Sequence, residues 1–283
     1  MQIGDFQFPI GQTVTTGAPP LADGMTTFEV LQTPLLITDY DQLASTCLVW
    51  ARDQRCVALD FANTQIVTMR RHDARFRELT SAYDYFPPDG MPLVWCLNRA
   101  GARLRDRVYG PIFMEKFLSK APSGSTHYLL GGSAECGAKL RKKFSQLNPG
   151  IQFIGAFHGL CNPNGLLENS AEQSIVAELN RLSPDFIWLG FGTPKQQAWV
   201  KQHKHLLRRG VVLSVGFAFD VNAGLKSDAP AWMQRLGLTW VFRLGSEPRR
   251  LGPRYLRYNL LFLWYLLVDG VRGRAWKAHS SGS

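Results

Sequence analysis

From residue 28 to about 240, short apolar runs rich in Val, Ile, Leu and Phe alternate with longer stretches of helical periodicity. The runs Cys56–Phe61, Tyr83–Phe86, His127–Leu130, Gln152–Ala156, Phe186–Leu189 and Val211–Val215 read as strands. Thr64–Arg71, Met91–Arg99, Glu135–Leu147, Glu168–Arg181 and Lys195–Leu207 read as helices between them. Strand and helix in alternation make βαβ units, and right-handed crossovers assemble such units into a parallel sheet. The pattern predicts an α/β fold with an open, doubly wound, mostly parallel sheet. Its ligand cleft should lie beyond the carboxyl ends of the strands.

Past residue 240 the pattern changes. Leu256–Val268 is apolar nearly all round, dense in Leu and aromatics, and flanked by arginines. It is too short to span a bilayer, which takes roughly 20 apolar residues. With Tyr255, Tyr258, Trp264 and Tyr265 near a basic rim, it suits the headgroup region of a membrane. A C-terminal core helix docked on the sheet fits the same letters. At the other end, Met1–Gly24 has no basic start followed by an apolar stretch, so it reads as a flexible arm and not as a signal peptide. The expected organisation is a flexible arm at 1–27, an α/β domain at 28–240, and a basic, aromatic helical appendage at 241–283.

A chain of 283 residues with 45% apolar and 12% aromatic content can bury a sizeable core and is not disordered. Five scattered cysteines, none spaced C-x-x-C, suggest neither a disulfide framework nor a zinc site and fit a reducing cytoplasm. The net charge of +10 calls for an anionic partner: nucleic acid, phospholipid headgroups or a phosphorylated substrate. Between Thr239 and Lys277 eight basic residues face only Glu247 and Asp269, so most of the excess is C-terminal. It gathers beside an apolar aromatic helix instead of along a groove-reading element, which favours lipid over nucleic acid.

Several stretches can carry chemistry. Gly131-Gly132-Ser133 follows an apolar strand and opens a helix, so its amides can receive a phosphate, or it is simply a tight turn. Asp89-Gly90, after the stiff pair Pro87-Pro88, places a carboxylate at the cleft mouth, as a general base or as a turn residue capping the next helix. Gly190-Phe191-Gly192-Thr193-Pro194-Lys195-Gln196-Gln197 sets a Lys and two amides in a first helical turn, where acids are the rule. That composition hints at a ligand, with ordinary capping by Thr193 as the plainer account. Asp39-Tyr40-Asp41 matches a metal-binding D-x-D pattern but stands where two acids do ordinary first-turn work, and no metal is assigned. Arg243, Arg250 and Arg254 around Glu247-Pro248 can make bidentate bonds to phosphate, whether of a departing diphosphate or of lipid headgroups.

In order and in letters these stretches resemble the WecG/TagA/CpsF glycosyltransferase family over roughly residues 55–255. The matching pieces are Leu59-Asp60-Phe61-Ala62-Asn63, Pro88-Asp89-Gly90, Leu130-Gly131-Gly132 and Leu189–Gln196, the last running through Gly192 and Lys195. They continue with Val215–Asp220, Ala223-Gly224, Ala229-Pro230, Trp240, Arg243, Glu247-Pro248, Arg250 and Arg254-Tyr255. The resemblance implies a Rossmann-like sheet and an inverting transferase that needs no metal or other cofactor. It implies a UDP-sugar donor and a polyprenyl-pyrophosphate-linked acceptor. Carried over by position, Asp89 would deprotonate the acceptor hydroxyl, and Arg243, Arg250 and Arg254 would stabilise the UDP leaving group. Asn63, Gly131, Gly132, Gly192, Lys195, Gln196 and Asp220 would line the substrate pocket. The appendage would dock on an anionic membrane, placing the chain peripherally on the cytoplasmic face of the inner membrane, and a homo-oligomer is compatible with all of this.

The family commonly has Thr, Glu, a basic residue and Glu where this chain has Phe61, Gln197, Asp228 and Thr239. The variants Asn63-Thr64-Gln65 and Thr193–Gln197 look most like the xanthan-type exopolysaccharide branch, which implies glucose as the donor sugar in a β-1,4 linkage. N-acetylmannosamine or its uronic acid is the alternative within the family. Outside it stand a dinucleotide oxidoreductase, whose three-glycine fingerprint is missing, and a basic nucleic-acid-binding protein.

Overall fold

A computed structural model describes residues 25–159 and 171–271, with the side chains of 171–173, 250, 251 and 254 outside the description. The expected N-terminal arm therefore lies outside the described residues but for its last three, as do Cys161, Arg272, Arg274 and Lys277. The chain opens with a hairpin of β1 (Thr27–Val30) and β2 (Thr33–Leu36), followed by α1 (Tyr40–Trp50) and β3 (Cys56–Asp60). Next come α2 (Thr64–His72), α3 (Ala74–Leu79), α4 (Met91–Arg99), α5 (Gly110–Lys120), β4 (Thr126–Leu130), α6 (Ala134–Leu147) and β5 (Gln152–Phe157). The second half holds α7 (Ala171–Leu182), β6 (Phe186–Leu189), α8 (Lys195–His203), β7 (Gly210–Ser214), α9 (Ala218–Asn222), α10 (Ala231–Arg235), α11 (Thr239–Ser246) and α12 (Pro248–Val271).

Five strands form one parallel sheet in the order β3-β7-β6-β4-β5, so the expected α/β architecture is present. Side chains alternate between its two faces, as the two-residue period of a strand requires. Val57, Leu59, Leu213, Phe186 and Trp188 join the core under α1, α5 and α6, where Trp50, Phe113, Phe117 and Phe144 are fully buried. Ala58, Val212, Ile187 and Leu189 face the opposite core with Ile66, Leu93 and Trp199, from α2, α4 and α8. Both faces are covered, which is why the strands read as continuous apolar runs.

Two expected elements come out differently. Tyr83–Phe86 is not a regular strand: it runs between β2 and β3 and joins them through isolated bridges, Leu35 with Phe86 and Leu59 with Tyr85, and a few backbone bonds such as Asp60 N–H to Tyr85 O. Pro87 and Pro88 have no N–H to extend a ladder, so the segment stays a strap between the hairpin and the sheet. The helix expected at Lys195–Leu207 ends at His203 and finishes as a 3-10 turn over Lys204–Leu206.

Helix α12 packs along α2. Arg71 Nη2 meets Asp269 Oδ1 at 3.3 Å and His72 Nδ1 meets Tyr265 OH at 2.7 Å, while Phe262 is buried between the helices. The opposite side of α12 leaves Leu256, Leu260, Leu263, Trp264 and Leu267 more than half exposed. The two accounts of this segment thus apply to different faces: one face is docked on the fold, and the other is apolar and uncovered. No helix among the described residues is long and apolar enough to cross a membrane.

Candidate active site

The cleft lies at the carboxyl ends of β3, β7 and β6 and has two chambers. One, of about 390 Å³, is lined by Gly192, Lys195, Gln196, Ser214, Asp220 and Lys226, among others, and is largely polar. The other, of about 900 Å³, runs between α4 and α12 and is largely apolar, with Trp95, Trp240, Leu256, Leu260 and Leu263 along it. Asn63, Gln65, Asp89, Tyr109, Arg243 and Tyr255 line both chambers, so the two meet there.

Asp89 stands at that junction because the strap carries it there: Ala62 N–H bonds Pro87 O, and Asp89 N–H bonds Ala62 O at 2.8 Å. Gly110 N, opening α5, donates to Asp89 Oδ2 at 3.3 Å. Burial pushes the Asp89 carboxyl up to about 7, against the pull of Arg107, the Gly110 N–H and Arg243. A carboxylate tuned near neutrality can accept a proton from a hydroxyl and later release it.

Arginine charge stands beside this base. The Arg243 guanidinium lies 4.0 Å over the Phe217 ring, which fixes its plane at the chamber mouth. Arg107, buried, donates to Thr239 Oγ1 at 2.8 Å and sits 4.2 Å over the Tyr109 ring. Arg250 and Arg254 fall in the first turns of α12, their side chains outside the described residues.

The remaining candidates separate into those in the cleft and those beside it. Asn63 caps α2, its Oδ1 accepting from Ile66 N at 3.1 Å, and still lines both chambers. Asp220 faces the polar chamber and meets Lys226 Nζ at 3.4 Å; the same Nζ lies 3.0 Å from Glu247 Oε1, tying α9 to the start of α12. Gly192 has φ +76°, a backbone state that glycine adopts freely, and its N–H donates to Gln196 Oε1 at 3.2 Å.

Gly131 and Gly132, expected in the substrate pocket, line neither chamber. Gly131 borders a separate cavity of about 180 Å³ with Arg141 and His158. A Cβ on Gly131 would come within 2.9 Å of the Phe191 ring, so this glycine permits close packing of the β4–α6 turn on the loop that does line the cleft. Ser133 caps α6 by accepting from Cys136 N. Asp39 caps α1, accepting from Gln42 N, which matches the plainer account of the D-x-D stretch.

Sequence reasoning missed Arg107, Tyr109, Lys226 and Trp95 as cleft residues. A signal was present in Arg107-Val108-Tyr109-Gly110-Pro111: Gly-Pro marks a helix start, and a cation two residues from an aromatic precedes it. Nothing in the letters says that this helix start faces Asp89.

Asp89 and Arg243 stand where a polar and an apolar chamber meet beyond the strand ends of a parallel α/β sheet, an arrangement that suits an enzyme of group transfer between unlike substrates. The chain belongs to the WecG/TagA/CpsF glycosyl transferase family, whose model matches residues 28–275. It is therefore a glycosyltransferase. Among curated relatives, an N-acetylglucosaminyldiphosphoundecaprenol N-acetyl-beta-D-mannosaminyltransferase of Staphylococcus aureus strain MRSA252 is 29% identical over 192 residues, covering 68% of this chain and 72% of the relative. The enzyme of the same description from strain MW2 is 28% identical over the same shares.

Proposed function

We propose that this glycosyltransferase moves a hexose, with inversion, from a UDP-sugar in the polar chamber to a polyprenyl-diphosphate-linked saccharide whose lipid lies in the apolar chamber. The observation that carries this reading is the meeting of the two chambers at Asp89 and Arg243. An acceptor hydroxyl attacks the anomeric carbon and forms the new glycosidic bond as the bond to the UDP oxygen breaks. The hydroxyl proton passes to the Asp89 carboxylate, and Arg243, with Arg250 and Arg254 of the following helix, meets the charge on the departing diphosphate. Lys195, Gln196, Gly192, Asn63 and Asp220 hold the donor. No metal is assigned a step, since guanidinium groups supply the positive charge a diphosphate needs.

The appendage from residue 241, with the uncovered face of α12 and its basic surroundings, rests on an anionic membrane surface at the cytoplasmic face of the inner membrane. The apolar chamber opens along that same face, so a lipid-linked acceptor enters without leaving the bilayer.

Glucose is the proposed donor sugar, on the Asn63-Thr64-Gln65 and Thr193–Gln197 variants. N-acetylmannosamine is the second reading, favoured by the description of the Staphylococcus aureus relatives. The test supplies radiolabelled UDP-glucose, UDP-N-acetylmannosamine and UDP-N-acetylmannosaminuronic acid in parallel to glucosyl- and N-acetylglucosaminyl-diphosphoryl polyprenols in liposomes. Incorporation of glucose alone supports the first reading and of N-acetylmannosamine the second. Incorporation of no sugar into any lipid acceptor overturns both.

A further inference from the structure

Directly beneath the polar chamber lies a carboxylate that the proposed chemistry does not use. Asp60, the last residue of β3, is fully buried. Its Oδ2 accepts from Gln197 Nε2 at 2.9 Å and its Oδ1 from Gln196 Nε2 at 3.4 Å. Gln196 turns its other amide atom upward, where Oε1 accepts the Gly192 N–H at 3.2 Å, while Gly192 O accepts the Gln196 N–H at 3.0 Å. The glycine loop is thus clipped twice to one glutamine, and that glutamine's NH₂ is held from below by the buried acid and by Ser214 O, which accepts from the same Nε2 at 3.4 Å.

An ionised carboxylate only accepts hydrogen bonds, whereas a carboxamide can present either its oxygen or its NH₂. Facing Asp60, Gln196 must turn its NH₂ inward, which leaves its oxygen for Gly192. We propose that Asp60 is a positioning residue for the sugar-nucleotide donor: its carboxylate, together with Ser214 O, fixes the orientation of the Gln196 amide and so the shape of the Gly192 loop in the polar chamber. This rests on the assignment of that chamber to the donor. Burial raises the Asp60 carboxyl to about 7, and the bonds from Gln197 and Gln196 and the charge of Arg70 oppose that rise. The network thus favours the ionised, orienting form at the point where burial works against it. Gln197 Oε1 is buried without a hydrogen-bond partner, so the pair has spare acceptor capacity on the helix side.

That geometry defines a reciprocal exchange. In Asp60→Asn with the Asn oxygen kept on Gln197, the Asn NH₂ confronts the Gln196 NH₂, so Gln196 either gives up that bond and holds only Ser214 O or flips and loses Gly192. Adding Gln197→Glu restores an acceptor-only group that draws the Asn NH₂ to itself and returns the Asn oxygen to Gln196. The experiment measures kcat and KM for donor and acceptor separately in the full chain on liposomes, with UDP-sugar and polyprenyl acceptor. Asp60→Asn should raise donor KM by about fivefold, the equivalent of one lost hydrogen bond, with kcat and acceptor KM within about twofold. Asp60→Asn/Gln197→Glu should return donor KM to near its original value. Gln197→Met, which keeps volume and removes the shorter bond, should shift donor KM in the same direction and serves where the Asn variant does not fold. Lys195→Ala, which alters the chamber wall directly, separates the two readings. If it raises donor KM while neither Asp60→Asn nor Gln197→Met does, or the double variant gives no recovery, the role of Asp60 is overturned and the donor chamber stands. Unchanged donor KM in all of these variants overturns the chamber assignment and with it the role of Asp60.

Discussion

Asp89 and Asp60 are acids on neighbouring backbone segments, both raised to about 7 mainly by burial, and they have different partners: Gly110 N–H for Asp89, Gln196 and Gln197 for Asp60. Asp89 opens on the junction of the chambers, and as the proposed base its titration should show in the reaction. Because only the ionised form can take a proton, kcat/KM should fall about tenfold per pH unit below about 7, read from a pH profile at saturating acceptor. Asp89→Asn should cost about 10²–10⁴-fold in transfer with UDP binding nearly unchanged by calorimetry; retention of most activity would remove it as the base. The same substitution carries a stability sign. The folded carboxyl lies above its ordinary value of 3.8, so the folded state holds its proton more tightly than the unfolded chain. The stability this gives is full below the unfolded value and is lost as pH rises through the folded one. Asn in its place should therefore melt a few degrees higher at pH 8, with a smaller gain at pH 5 and almost none below the ordinary value of 3.8. Asp89 was legible in the letters because prolines and a glycine frame it. Arg107 was not, because its place depends on a loop folding back under Asp89 and on the Thr239 hydroxyl more than a hundred residues away in sequence.

At the scale of elements, strands buried on both faces announce themselves as apolar runs, and five of the six expected strands are present within a residue or so. The failed one, Tyr83–Phe86, has the composition of a strand and makes a few backbone bonds to β3, but Pro87 and Pro88 directly after it have no N–H with which to continue a ladder. The segment at Leu256–Val268 could not be assigned to core or surface from its letters, since Leu and aromatics ring the whole helix. Docking is decided by Asp269, Tyr265 and Asn259, which find Arg71, His72 and Thr64 on α2. The free face is open to test. Leu256, Leu260 and Leu263 changed together to Ser should weaken liposome binding by about tenfold or more and raise KM for a long-chain acceptor, sparing a short-chain water-soluble one. Equal loss with both acceptors would count against a lipid role for that face.

For the molecule as a whole, α11 and α12 roof a cleft that the sheet alone leaves open. Truncation after Thr239 should abolish membrane binding and most activity, measured by liposome flotation and by transfer, and a fully active truncated enzyme would sink both roles. Activity should survive EDTA; complete loss restored by Mn²⁺ or Mg²⁺ would reopen Asp39 and Asp41 as metal ligands. Since α12 offers one face to α2 and the other outward, the wall of the acceptor chamber and the proposed contact with lipid are the same helix. On that proposal the enzyme meets its acceptor by lateral diffusion. Its velocity should follow the mole fraction of acceptor in the bilayer, so that adding inert phospholipid at constant bulk acceptor slows the reaction, as surface dilution.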